Sequence, residues 1–255
     1  MAGARKLAFA PVTARHSPVE VDEAPRFVED RPGDIHDERP RPWHRYAYHV
    51  RTLPLRLEAL ARDLQVEPGS RVLDYGCGVV AYRHFFPRDV DYAAADLPGN
   101  PQATLLLAPD GTVPAPDGGF DAVMSTQVLE HVTDPALYLS ECFRVLRPGG
   151  RMLLSTHGTF VYHPDPDDYW RWTCAGLQKA VRDAGFEVVR FDGIIGGLPT
   201  GLQLVQDSIY WKVPRLMRAP LALVMQTLIR FSDRLHSDGS RALNAQVYAL
   251  LAEKP

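Results

Sequence analysis

The 255-residue sequence is poor in cysteine: Cys77, Cys142 and Cys174 are odd in number, far apart, and form no CxxC pair. This excludes a disulfide framework and a zinc ribbon, and suits a reducing compartment. Lysine is almost as scarce, with Lys6, Lys179, Lys212 and Lys254 beside a much larger number of arginines. The formal charge is −3, and no dense basic stretch with interleaved aromatics occurs, so nucleic acid is not an expected partner. A membrane-spanning run is missing too. The stretch from Ala219 to Ile229 is about half of the roughly twenty residues that a span needs. The first residues carry no apolar core of signal-peptide length, so a cytoplasmic protein is expected. Hydrophobic residues make up 45% of the chain, enough for one full core with room for an insertion.

What the sequence does contain begins with Arg71-Val72-Leu73-Asp74-Tyr75-Gly76-Cys77-Gly78, a short apolar run leading to an acid and two closely spaced glycines. It reads as a buried strand opening into a ligand-binding turn, where glycine lets backbone N–H groups approach a bound molecule. Asp96 follows at the end of a second apolar run, Tyr92-Ala93-Ala94-Ala95, about twenty residues after Gly76. An acid in that place accepts from ribose hydroxyls in either a dinucleotide or another nucleoside cofactor. Asp74 separates these options, because a carboxylate two residues before the first glycine repels a pyrophosphate and suits an ammonium group.

A third strand, Phe120 to Thr126, runs into Gln127-Val128-Leu129-Glu130-His131-Val132-Thr133-Asp134-Pro135 and a helix that His131 is expected to begin. Arg144 to Gly150 closes that helix with Pro148, Gly149 and Gly150 before the strand Arg151 to Thr156. Together these phrases resemble class I S-adenosylmethionine (SAM) dependent methyltransferases over roughly residues 68 to 192, and again at the last strand, Gln246 to Ala252. The resemblance implies a Rossmann-like α/β fold with a seven-stranded, mainly parallel sheet, an antiparallel last strand and a helical insertion over 198–241 before it. It implies SAM as cofactor, with Asp74, Gly76 and Gly78 holding the methionine part, Asp96 the ribose, the backbone around Gln127 the inner face, and Asp110 the adenine amino group. A third glycine is usual in the family where this chain has Val80, a residue that does not readily adopt φ > 0. That departure keeps open a non-catalytic SAM-fold protein acting through its insertion. An NAD-dependent oxidoreductase is a further alternative.

Residues 157–173, following the fifth strand, form a segment too long for a simple turn, and ligands bind outside the carboxyl ends of parallel strands. Methyl transfer to a hydroxyl requires in-line approach and loss of a proton, and an imidazole is suited to accept it. His157 leads as candidate base, followed by His163 and Tyr169, with His131 weaker. The expected acceptor is a small molecule methylated on oxygen in preference to nitrogen or carbon. Thr173 is placed to cap a helix from Ala175 to Ala184. No ligand motif for a metal is present in the loop.

Residues 1–42 read as an arm rich in proline and charge, ahead of one domain over 43–255. Tyr48, Leu53, Leu57, Leu60 and Leu64 recur at helical spacing, ended by Glu67-Pro68-Gly69-Ser70. Trp43, Tyr46 and Tyr48 at its start serve either as a lid or as packing. Residues 201–213 and 219–235 predict two amphipathic helices broken by Pro214 and Pro220, which cover the active site or pack on the core, or else offer a peripheral membrane contact or a homodimer face through 201–235.

Overall fold

The computed structural model describes residues 41–164 and 167–255. The arm over 1–42 therefore lies almost wholly outside the described residues. Seven strands form a single sheet: β1 (Arg71–Tyr75), β2 (Asp91–Asp96), β3 (Leu105–Leu106), β4 (Phe120–Thr126), β5 (Leu146–His157), β6 (Glu187–Gly196) and β7 (Ala245–Glu253). Their spatial order is 3-2-1-4-5-7-6. Neighbours from β3 to β5 pair in parallel, and β7 runs antiparallel between β5 and β6. The expected mainly parallel sheet with an antiparallel last strand is therefore present.

Period-two alternation distributes the strand residues between two cores. Leu73 and Tyr75 of β1, Val123 of β4 and Met152 and Leu154 of β5 pack with helices α2 (Pro135–Val145) and α3 (Cys174–Asp183). Val72, Ala122, Met124 and Leu153 alternate with them and pack on Leu53, Leu57 and Leu60 of α1 (Ala47–Arg62). Asp134 caps α2 by accepting from Ala136 and Leu137 N–H, with Pro135 at the first helical position. The helix therefore starts at Pro135, and His131 lies in the preceding turn, contrary to the sequence expectation. Thr173 does cap α3, accepting from Gly176 N–H. α1 ends at Arg62, ahead of Glu67, with Gln65 in the left-handed region at φ 55°.

Between β6 and β7 lie α4 (Gly197–Tyr210), α5 (Arg215–Asp233) and the short α6 (Asp238–Leu243). Pro214 separates α4 from α5 as expected, but Pro220 lies inside α5 and does not break it. A proline removes one hydrogen bond and crowds one carbonyl, a local cost that a helix of 19 residues absorbs when its far side is packed. The packed side is polar. Nε2 atoms of Gln203, Gln206 and Gln226 all donate to the Arg45 carbonyl (3.2, 2.7 and 2.6 Å), and Gln226 Oε1 accepts from Tyr48 N–H (2.9 Å). The three amides thus satisfy the Arg45 carbonyl just ahead of α1, and Gln226 also meets one of the first N–H groups of the helix, which have no helical partners of their own.

Replacing Gln226 with Leu strips the partner from Tyr48 N–H and leaves buried amide oxygens unmatched. A loss of about 2–4 kcal/mol in unfolding free energy is expected by urea denaturation. A change within experimental error would show that the glutamine cluster does not anchor α1.

Candidate active site

β2, β1, β4 and β5 are adjacent and parallel, so their carboxyl ends form one edge, where a cavity of about 2000 Å³ opens. Gly76 and Gly78 follow β1, Asp96 ends β2, Gln127 follows β4 and His157 ends β5; all line this cavity, as do Asp110 and His163. Sequentially distant residues meet here because each parallel strand delivers its last side chain to the same edge.

The turn after β1 hangs from β2. Gly76 and Cys77 N–H both donate to the Ala95 carbonyl (2.8 and 3.0 Å). Asp96 Oδ2 accepts from Gly78 N–H (3.1 Å) and from Asn100 Nδ2 (2.6 Å), and Asn100 Nδ2 also donates to the Gly78 carbonyl (2.7 Å). Gly76 has φ +80°, and a Cβ there would lie 2.6 Å from Val128 Cγ2, so a side chain at this position is excluded. Val80 corrects the sequence expectation. It does adopt positive φ, at 54°, and its N–H donates to the Cys77 carbonyl (2.8 Å). The loop keeps the turn that a third glycine would provide, at the cost of strain in a β-branched residue.

Asp74 and Tyr169 stand apart from the other sequence candidates, because neither lines the cavity. Asp74 is buried behind the turn, on the α1 side of the sheet, and Oδ2 accepts from Tyr92 Oη (2.6 Å). Burial pushes its carboxyl up to about 6, opposed by the Tyr92 hydrogen bond and reinforced by the nearby Asp96 charge. Tyr169 has an exposed side chain, and its backbone N–H donates to the Glu130 carbonyl (2.8 Å). Asp110 is exposed at the cavity rim, with its carboxyl lowered by the Thr112 backbone N–H, from which Oδ1 accepts at 3.0 Å.

The wall formed by β4 and β5 brings Gln127 and His157 together, with Glu130 behind them. His157 is buried, with Nδ1 3.0 Å from Glu130 Oε1, although the two atoms lack the alignment of a full hydrogen bond. Glu130 is wholly buried, and its other oxygen accepts from Thr156 Oγ1 (2.8 Å). Burial favours the neutral acid, but the adjacent His157 imidazole overcomes it and holds Glu130 below the ordinary carboxylate range. The His157 ring stacks on Phe160 at 4.1 Å with the planes 1° apart, and His163 approaches both edge-on. Gln127 has φ 56°; Nε2 donates to Ser155 Oγ (2.9 Å), while Oε1 is buried at the cavity wall without a hydrogen-bond partner. That orphan acceptor calls for a donor from a bound molecule.

Two wall residues, His49 and Phe160, and the buried Glu130 behind His157 escaped the sequence reading. His49 lies on α1 beside Phe160, its imidazole pushed down to about 4 by burial, with Nδ1 3.1 Å from Gln246 Oε1. Its spacing of four from Leu53 marks it as a core position, the available signal. Glu130 gave none of its own, since it follows β4 while its partner His157 ends β5, and Phe160 gave none because its stacking on His157 depends on the path of the loop after β5. Trp43, Tyr46 and Tyr48 form no lid: Tyr46 is buried, stacked on Phe160 at 5.9 Å, and Tyr48 Oη donates to Asp233 Oδ2 (2.8 Å). Instead α1 presents His49, Val50, Leu53 and Pro54 to the cavity.

Residues 43–190 match the family model of the methyltransferase domain. The chain belongs to this family. A relative in Mycolicibacterium smegmatis named "Probable S-adenosylmethionine-dependent methyltransferase" is 35% identical over 149 residues, 55% of this chain and 52% of its own length. The ubiquinone biosynthesis O-methyltransferase of Xanthomonas oryzae is 33% identical over 118 residues, 40% of this chain and 49% of that one. This methyltransferase chain thus spans about half the length of such curated relatives. Among solved structures, phosphoethanolamine N-methyltransferase 2 of Haemonchus contortus shares the fold, with a TM-score of 0.53 at 16% identity over 79% of this chain and 52% of that one.

The raised carboxyl of Asp74 fixes a pH dependence. Unfolded, Asp74 ionises near pH 3.9, whereas folded it holds its proton to about 6. Its burial therefore lowers stability increasingly as pH rises through that window, and the penalty is complete above it. Asp74→Asn in the ligand-free protein should gain stability over wild type between pH 4 and 7, by roughly 3 kcal/mol at most. Urea titrations at the two ends check this; a pH-independent difference would mean that the carboxylate is solvated.

Proposed function

We propose that the protein transfers a methyl group from SAM to a small-molecule acceptor, with a hydroxyl oxygen preferred over nitrogen or carbon. The observation that carries this reading is the cavity itself, with the Asp96-held glycine turn at one end and the Glu130–His157 pair at the other. Its volume of about 2000 Å³ exceeds the roughly 300–1,000 Å³ of an ordinary ligand pocket, leaving room for a nucleoside cofactor and a second molecule. The residues present fit such a cofactor. Gly76 and Gly78 bring bare backbone to the wall, Asp96 has acceptor capacity for ribose hydroxyls, and Gln127 Oε1 awaits a donor. Asp110 at the rim is assigned to the adenine amino group. Asp74 acts from behind the turn, as a buried acid whose ionisation a nearby ammonium favours.

When bound, SAM supplies an electrophilic methyl group on a sulfonium. His157 takes the acceptor's proton. With Nδ1 beside Glu130, the imidazole is biased to carry its proton there and leave Nε2 as the basic nitrogen. Phe160, stacked flat on the ring, fixes its plane. His163 stands nearby as a second polar wall residue, and Tyr169 contributes through its backbone. The name of the Xanthomonas relative, an O-methyltransferase, supports oxygen as the acceptor atom. No described helix is long and apolar enough to cross a membrane, in keeping with a cytoplasmic enzyme. The insertion over 201–235 adds a contact surface for either a bilayer or a second copy.

Asp96→Ala should weaken binding of S-adenosylhomocysteine (SAH) by about 10- to 100-fold in calorimetry, since it removes a charged acceptor and the anchor of the turn. Unchanged affinity would contradict the assignment. His157→Ala should slow turnover by about 10²- to 10⁴-fold while leaving SAH affinity nearly intact. Full activity in that variant would remove the histidine from the reaction.

A further inference from the structure

α5 is amphipathic in the inverse sense. Its protein-facing side buries Gln226, Ser232 and Asp233 among Ala222, Met225 and Ile229, while Leu216, Met217, Leu223, Val224, Leu228 and Phe231 face solvent. At 100° per residue these six cover an arc of about 140°, wider than the apolar stripe of an ordinary surface helix. Leu216 is 91% exposed and Phe231 55%. A contiguous exposed face of this kind marks an interaction site.

Its charge is one-sided. Lys212, Arg215, Arg230 and Arg234 are exposed around the apolar face, and no Asp or Glu occurs between Ser208 and Ser232. The flanking acids are engaged elsewhere: Asp207 with Tyr46 Oη (3.2 Å) and Gln203, Asp233 with Gly196 N–H (2.8 Å), Tyr48 and Arg241. Among the described residues, no carboxylate forms an ion pair with any of the four cations.

We propose that the outward face of α5 docks on the surface of an anionic lipid bilayer. The helix lies in the interface plane, with its leucines and Phe231 among the upper acyl carbons and its cations at the headgroups. A second copy fits less well. A twofold axis would set this face against itself, bringing cations to cations with no carboxylate to separate them. The span reading is closed by length and charge, since no described helix can cross a membrane. This docking stands independently of the methyl-transfer reading, and its test uses no turnover.

Flotation of the full chain with vesicles of phosphatidylcholine, with and without phosphatidylglycerol, tests the proposal. Binding should require phosphatidylglycerol and fall as salt is raised. Arg215→Gln with Arg230→Gln should weaken it by about 25-fold, about fivefold per cation removed. Leu216→Asp with Phe231→Asp should abolish it. Unchanged circular dichroism and melting temperature in both double variants assign the loss to the surface, and the charge pair keeps the test valid should the apolar pair misfold. Failure to bind phosphatidylglycerol vesicles at low salt would overturn the proposal. So would binding that survives both double variants, or a dimer in sedimentation that Leu216→Asp dissociates while vesicle binding is absent.

Discussion

The arrangement depends on one carboxylate. Asp96 ends β2 and turns back to accept from Gly78 N–H and Asn100 Nδ2, while its Oδ1 accepts from Leu97 N–H. Those bonds tie the loop after β1 to the loop after β2. The loop itself is strained, with Gly76, Gly78 and Val80 all at positive φ. A chain with a valine in the left-handed region relaxes unless something holds it. Asp96 and the Ala95 carbonyl provide that hold, so the geometry of the turn comes from its neighbour strand as much as from its glycines.

The same logic organises the opposite wall. Glu130 is wholly buried, and burial of an unpaired carboxylate is costly. It is retained because Thr156 and His157, the last residues of β5, reach it across the β4–β5 pair. Tyr138 bridges the two halves of the site from beneath, with its hydroxyl 2.8 Å from Ser125 Oγ and donating to the Tyr75 carbonyl (2.9 Å), and its ring stacked on Tyr75 at 4.1 Å. The Ser125 and Tyr138 hydroxyls and the Tyr75 carbonyl are thereby matched within the protein. Gln127 Oε1, at the wall, is left over.

Much of this was legible in the chain. Strand ends marked by Asp74-Tyr75-Gly76-Cys77-Gly78 and by Asp96 follow from apolar runs and glycine spacing, and the cap at Thr173 from local chemistry alone. The differences share a cause. Val80 disfavours positive φ on its own, but tertiary bonds override such preferences. The loop engages the Tyr169 backbone and turns the ring outward, which residue type does not reveal. Strand alternation directs Asp74 to the α1 side with Tyr92, behind the turn rather than into the cavity. Pairings such as His157 with Glu130 depend on the lateral register of two strands, which a linear pattern does not specify.

The insertion shows how a polar interior and an apolar exterior can follow from one requirement. Helix α1 borders the cavity through His49 and Leu53, and its first turn has backbone groups that only a neighbouring segment can satisfy. Gln226 Oε1 meets that need at Tyr48 N–H, Gln203, Gln206 and Gln226 donate to the Arg45 carbonyl just ahead of the helix, and Asp233 accepts from the Tyr48 hydroxyl and from Gly196 N–H. Because these positions must be polar, the packed side of α5 mixes Gln226, Ser232 and Asp233 with Ala222, Met225 and Ile229, and its other large apolar residues occupy the far side. Arg45 extends the connection: its guanidinium lies 4.9 Å from the Tyr46 ring centre and 5.4 Å from that of Trp211, and Tyr46 in turn stacks on Phe160 against His157. A short series of packed rings thus runs from Trp211, at the end of α4, to His157 at the cavity wall.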